Sequence, residues 1–122
     1  MLYAIEAPEL GGETAFSNQI LAYQELSDGL REVVDGLVAL HSAEDLARLY
    51  GADPAEASRA EHPVVRTHDE NGQRGLYVCR AFTQKFRNWT REESRALLEY
   101  LYQHSVRAEF QARHKWRPGD LV

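Results

Sequence analysis

The sequence predicts a mixed α+β fold, with residues 1–122 forming a single domain, and three observations support this. Short segments that alternate apolar and polar side chains, as strands do, occur near both ends and in the middle. Between them lie segments with apolar residues at helical spacing, two of them preceded by a serine or threonine that can cap a helix. A length of 122 residues fits one domain of about 100–200 residues with one hydrophobic core.

The elements of the first half follow from turn and cap residues. Pro8 and the Gly11-Gly12 pair separate two expected strands, and Ser27 and Gly36 are expected to begin and end a helix. In chain order we expect a strand over 2–7, a short strand over 13–16, a helical segment from Asn18, a helix over 28–36, a strand over 37–40 and, after a capping box at 42–45, a short helix.

In the second half the clearest signal is the capping box Thr90-Arg91-Glu92-Glu93. It predicts a helix over 91–104 with Leu97, Leu98, Leu101 and Tyr102 facing inward. The other expected elements are strands over 62–68 and 74–80 joined by a turn at 69–72, a strand over 109–116 and a turn at 118–120.

The composition narrows the class of protein. The chain has 14 basic and 19 acidic residues, a formal net charge of −5, and no Lys/Arg cluster, so it lacks the charge pattern of nucleic-acid or anionic-membrane binders. No segment has the apolar length of a membrane span, and the first residues lack a secretory signal pattern. A single cysteine, Cys79, excludes an internal disulfide. We expect a cytoplasmic protein that binds neither nucleic acid nor membranes.

Four groups of residues occur in a distinctive order. They are Gly11-Gly12-Glu13-Thr14 with 22–26; 62–68 with 76–78; Phe82-Thr83 with 92–94; and 109–111 with Arg113, Trp116 and Gly119-Asp120. No single group is specific. Together, over nearly the whole chain, they resemble the taurine dioxygenase-like (TauD/TfdA) iron(II)/2-oxoglutarate dioxygenases, a family that includes phenoxyacetate dioxygenases.

The resemblance implies a partial double-stranded β-helix (jelly-roll-like) with outer helices. It implies oxidation of a small organic acid, of the sulfonate or aryloxy acid class, coupled to decarboxylation of 2-oxoglutarate at Fe(II). By the same resemblance, Thr14 matches a threonine that binds a 2-oxoglutarate carboxylate, and Phe82 matches a phenylalanine of the substrate pocket. The alternatives are a strand-favouring residue after a Gly-Gly turn for Thr14 and ordinary core packing for Phe82.

The resemblance places the iron ligands outside these 122 residues. The family's His-x-Asp motif lies upstream of the segment that begins at Met1, and its distal histidine and 2-oxoglutarate-binding arginine lie downstream of Gly119-Asp120. We therefore expect the middle portion of a dioxygenase domain, with no metal ligand, no bound cofactor and no turnover by itself.

An alternative is a non-catalytic descendant of the fold that stands alone. It would bind a small acid or a protein through a pocket around Thr14 and Phe82. In either case we expect a homo-oligomer that forms through exposed strand edges near 2–7 or 109–116.

Other residues could in principle supply a relocated metal site, which is a third hypothesis. His68 and Glu70 match a His-x-Glu pattern, but they fall in a polar turn, where a solvated loop is the favoured interpretation. The remaining chemistry-bearing residues have structural interpretations: hydrogen-bonded structural histidines for His41, His62 and His104, a solvent-facing side chain for His114, and an inert small hydrophobe inside a strand for Cys79.

Overall fold

A computed structural model describes residues 1–122 and confirms the α+β class. The elements in chain order are β1 (Thr14–Ser17), α1 (Gln19–Gln24), α2 (Asp28–Asp35), β2 (Val38–Ser42), α3 (Glu44–Leu49), β3 (Arg59–Pro63), β4 (Val65–Thr67), β5 (Arg74–Leu76), β6 (Thr83–Phe86), α4 (Arg91–Ser105) and β7 (Gln111–His114), with 3₁₀ turns at Pro54–Glu56 and Ala108–Phe110. The strands form three antiparallel sheets with the orders β1-β7, β3-β2-β6 and β4-β5. No helix is both long enough and apolar enough to cross a membrane.

The two predicted outer helices are confirmed to within one residue at each end, and their caps explain why. Ser27 Oγ accepts the amide of Leu30 at the start of α2, and Gly36 is its C-cap. At the start of α4, Thr90 Oγ1 accepts the Glu93 amide (3.1 Å) while the Glu93 carboxylate accepts the Thr90 amide (2.7 Å). Because these Thr90 hydrogen bonds favour the charged carboxylate, the pKa of Glu93 is lowered.

One part of the core lies between α4 and the β3-β2-β6 sheet, and the rest is formed with α1, α2 and β5. Phe86 on β6 and Leu101 on α4 are fully buried in the first part. Ser94 Oγ accepts the Phe86 amide (3.0 Å) and donates to the Thr90 carbonyl (2.8 Å), so a buried side chain ties β6 to α4. β6, which Phe82 directly precedes, is therefore fixed against α4.

Several predicted strands are wrong in extent. The segment 2–7 forms only an isolated bridge, between Tyr3 and Leu121, because its pairing partner is limited to residues near 119–122. The segment 62–68 divides at the buried Val64 into β3 and β4, which belong to different sheets. The expected strands 74–80 and 109–116 shorten to β5 and β7, the latter after a 3₁₀ turn.

The predicted capping box at 42–45 is also wrong. Ala43 is the N-cap of α3 and makes no side-chain cap hydrogen bond. Ser42 is instead the last residue of β2, where its amide donates to the Phe82 carbonyl (2.8 Å) and its hydroxyl accepts the Glu44 amide (3.2 Å). Because Ser42 is paired within β2, α3 begins one residue later than the capping box predicts, and Ala43 takes the N-cap position.

Candidate functional site

Thr14 begins β1, a short distance after the bend at residues 9–11, and lines a cavity of about 280 Å³ together with Trp116. The indole Nε1–H of Trp116 donates to Thr14 Oγ1 at 2.8 Å. Since the hydroxyl oxygen accepts this bond and its own proton has no protein acceptor, the proton remains available to a ligand oxygen. From the sequence, Trp116 is only one member of the fourth group of family-like residues, whereas the structure shows that it orients the Thr14 hydroxyl.

A second hydrogen-bonded pair supports Trp116. His114 Nε2 lies 2.9 Å from Asp120 Oδ2, and the same oxygen accepts the Arg117 amide (2.8 Å). The His114 ring packs edge-on against Trp116, with centroids 4.7 Å apart. The expectation that His114 faces solvent is therefore wrong, because the turn at 118–120 folds back and half-buries its ring.

Phe82 lines a different and larger cavity of about 410 Å³. Its apolar lining includes Leu76, Tyr77 and Val78, and its polar lining includes Arg59. Phe82 is 38% exposed and lies outside the buried core, so its ring is available to a ligand. Its role in contacting substrate stays a prediction.

Cys79 lines the same cavity, and its predicted place inside an apolar strand is wrong. β5 ends at Leu76, and Cys79 is exposed in the connection that leads to β6. Its backbone amide donates to Thr83 Oγ1 (2.9 Å), so Cys79 helps to close the turn before β6.

Thr14 and Phe82 do not share one pocket. Thr14 belongs to the β1-β7 sheet, whereas Phe82 precedes β6 in the three-stranded sheet, and the two cavities have no lining residue in common. The expected single pocket around both residues is therefore wrong for this chain. The two residues can contact two different ligands, or two ends of a larger site.

The histidines of the interior differ in how well they are satisfied. His104 is buried, and its Nε2 lies 2.7 Å from the Ala22 carbonyl, which confirms a hydrogen-bonded structural role. His41 stacks on Tyr77 (5.4 Å between centroids), and His62 packs edge-on against both rings without a hydrogen bond to the protein. Burial, with a smaller contribution from His62, lowers the pKa of His41, so its ring is neutral near pH 7. Its Nε2 is buried without a partner, unlike that of His104.

The residues present do not fit an iron centre. No three His, Cys, Asp or Glu side chains come close enough to hold a metal ion. His68 and Glu70 lie in an exposed turn, where His68 Nδ1 accepts the backbone amide of Glu70 (3.3 Å). The Thr14 cavity offers a hydroxyl donor for a 2-oxoglutarate carboxylate, but Glu6 is its only charged lining residue, so the cavity lacks a cation for a dicarboxylate.

The comparisons with known proteins agree on one family. The model of the "Taurine catabolism dioxygenase TauD, TfdA family" matches residues 1–122. A taurine dioxygenase from Burkholderia xenovorans superposes with a TM-score of 0.81 at 40% identity, covering 96% of this chain and 39% of that one. The match to structures of this kind confirms the double-stranded β-helix (jelly-roll-like) class with outer helices.

Two curated relatives show the range of chemistry in the family. An alpha-ketoglutarate-dependent sulfate ester dioxygenase of Pseudomonas putida is 37% identical over 135 aligned positions, covering 100% of this chain and 44% of the relative. An alpha-ketoglutarate-dependent 2,4-dichlorophenoxyacetate dioxygenase of Cupriavidus pinatubonensis is 36% identical, with the same coverage of each protein. The chain spans less than half the length of these relatives.

Proposed function

Because the chain belongs to the TauD/TfdA family of dioxygenases, we propose that it supplies a cosubstrate-binding hydroxyl and a substrate-facing aromatic wall to an Fe(II)- and 2-oxoglutarate-dependent dioxygenase. The substrate in this proposal is a small organic acid of the sulfonate, sulfate ester or aryloxy class, as named for its relatives. The proposal includes a cytoplasmic location, which the single unpaired cysteine supports. It also treats residues 1–122 as one domain.

The observation that carries the proposal is the hydrogen bond from Trp116 to Thr14. It leaves the Thr14 hydroxyl with one free proton, the group needed to donate to a carboxylate oxygen. Phe82 supports the second half of the proposal, because it is partly exposed in a cavity lined by both apolar and polar side chains. No group on the chain binds iron in this proposal, so we expect no turnover by these 122 residues alone.

Replacing Thr14 with valine is expected to weaken 2-oxoglutarate binding by roughly tenfold or more, the effect of losing a hydrogen bond to a charged group. The chain has two tryptophans, Trp89 and Trp116, so a Trp89→Phe background leaves Trp116 as the only indole, adjacent to Thr14. Titration of its fluorescence with 2-oxoglutarate should give a saturable change in that background only at concentrations on the order of millimolar, because the cavity supplies a hydroxyl donor but no cation.

The matched control for this titration is Thr67→Val, because Thr67 is an exposed β4 residue that lines a different cavity. It should titrate like the parent. If the Thr14→Val variant bound 2-oxoglutarate as tightly as the parent, Thr14 would not belong to the proposed site.

The second candidate function is a non-catalytic binder that assembles with copies of itself. Both strands of the β1-β7 sheet have a free edge, and apolar side chains near it are exposed, including Leu2 (63%) and Ile5 (80%). A dimer would cover this surface and leave the Phe82 cavity available for a small acid.

We expect sedimentation at micromolar concentration to show a dimer or larger species, and Ile5→Lys to shift it toward monomer, because a charge on an apolar contact surface opposes burial. Leu49→Lys, at a similarly exposed position (74%) on α3, should leave the distribution unchanged. A monomeric parent would contradict assembly through this surface.

A further inference from the structure

Three aromatic rings from residues far apart in the sequence form one cluster beside the Phe82 cavity, which all three residues line. His41 on β2 stacks on Tyr77, with 5.4 Å between the ring centroids. His62 on β3 packs edge-on against both rings, with 5.2 Å to each centroid. Because two positive charges at this separation repel each other, a proton on either histidine opposes a proton on the other.

The charges closest to this cluster are positive. No Asp or Glu lines the cavity, whereas Arg59 does. The guanidinium of Arg66 on β4 lies 4.8 Å from the centroid of the Tyr77 ring, the same ring on which His41 stacks. A protonated His41 would therefore add a positive charge beside two arginines without gaining a carboxylate partner.

The carboxylates on the neighbouring elements already have cationic partners. On α3, Glu44 is paired with Arg59 (3.3 Å), and Asp45 is paired with a second arginine. On β3, Glu61 is paired with Arg87. The other charged or titratable side chains of the surrounding elements are not carboxylates: Cys79 in the cavity lining, Lys85 on β6 and Tyr102 on α4. None of these groups would offset a positive charge on His41.

The two nitrogen atoms of His41 also favour the neutral ring. Its Nδ1 lies 3.5 Å from Thr83 Oγ1, and its Nε2 is buried without a protein partner. A neutral ring carries a proton on only one nitrogen, in either tautomer, but an imidazolium carries one on both. The Nε2–H of a charged ring would then be a buried, charged donor without an acceptor, which is costly. Burial and, to a smaller extent, His62 lower the pKa of His41 accordingly.

The position of His41 connects this ring to Phe82. β2 is the central strand of the β3-β2-β6 sheet, and its register with β6 shifts between Leu40 and His41. His41 is paired with Thr83, and the amide of Ser42 donates to the Phe82 carbonyl (2.8 Å). Displacement of the His41 ring would therefore act on the strand pairing that holds the backbone of Phe82.

We propose that His41 is a pH sensor: uptake of a proton drives its ring out of the cluster, loosens the pairing of β2 with β6 and releases Phe82 from the cavity wall. Because the folded chain binds this proton less readily than the unfolded chain, the stabilisation is fully present above the unfolded value of about 6.5. It is lost as the pH falls through the lower pKa of the folded state. The inference goes beyond the proposed function, because it concerns the chain without a ligand.

Melting temperatures at about pH 7.5 and about pH 5.5, followed by circular dichroism, test the sensor. His41→Phe keeps an aromatic ring against Tyr77 but cannot titrate. We expect the parent to lose roughly 3–6 °C more than this variant on acidification. His68→Phe is the matched control, since His68 lies in an exposed turn and lines a different cavity, and it should keep the pH dependence of the parent. Equal losses in the parent and in His41→Phe would overturn the proposal.

A titration of the unsubstituted sequence covers the case in which His41→Phe does not fold. The chain has four phenylalanines, so 4-fluorophenylalanine gives one fluorine resonance for each, while ¹⁵N spectra follow the histidine rings. The Phe82 resonance should change with the same midpoint as the His41 ring, whereas Phe16, on β1 in another sheet, should not follow it. Protonation of His41 without a change at Phe82 would overturn the proposed coupling.

Discussion

Replacing Phe86 with alanine should lower the free energy of unfolding by about 3–5 kcal/mol, the usual cost of a large aromatic-to-alanine change in a core. Phe86 is fully buried between β6 and α4, packs edge-on against Trp89 (5.3 Å between centroids), and has its amide bonded to Ser94 Oγ. The neighbouring elements are held by backbone pairing, so they can collapse only partly into the cavity. Urea unfolding followed by circular dichroism measures the change.

Phe16→Ala is the matched control, because Phe16 lies on β1 and is 43% exposed. It should cost well under half as much as Phe86→Ala, since less apolar area is buried. Similar losses at the two positions would mean that Phe86 is not part of the buried core.

Phe86→Ala should also affect the candidate site, because Phe86 and Phe82 are close together in the chain. β6 begins at Thr83, directly after Phe82, and Tyr102 of α4 donates its hydroxyl to the Thr83 carbonyl (2.9 Å). Loosening β6 should therefore also weaken acid binding in the Phe82 cavity, whereas the Thr14 cavity in the other sheet should be affected less.

The helices were predictable from sequence because their signals are local. Ser27, Gly36 and Thr90-Glu93 act within one or two turns of chain, and the caps they predict are present. Thr14 and Phe82 were identified from the family resemblance, which matches residue positions without requiring knowledge of how the strands pair. No periodicity or spacing within the chain identifies either residue.

Non-local contacts account for what was missed. Ser42 does not cap α3 because its backbone pairs with Phe82, 40 positions away. His114 is half-buried because its ring is hydrogen-bonded to Asp120. Gln19 Nε2 donates to the Ser105 carbonyl, and His41 Nδ1 lies near the Thr83 hydroxyl, and no local pattern connects these partners. A family resemblance could suggest one pocket, but only the sheet topology shows that Thr14 and Phe82 line two.

The second large expected effect concerns iron. Facial iron sites need three protein ligands of the His and carboxylate type, and the chain brings no such set together. His68 and Glu70 are the nearest approach, but they lie in an exposed turn and are bonded through the Glu70 amide. We therefore expect no stoichiometric iron on this chain, in contrast to what the family resemblance implies for a whole dioxygenase.

The most direct test is the iron content of the purified, mass-verified chain after anaerobic loading with iron(II) and 2-oxoglutarate, followed by desalting. The account predicts no retained iron. Near-stoichiometric iron would contradict it, and loss of that iron in His68→Ala, but not in His104→Phe, would place a relocated metal site in the 68–70 turn.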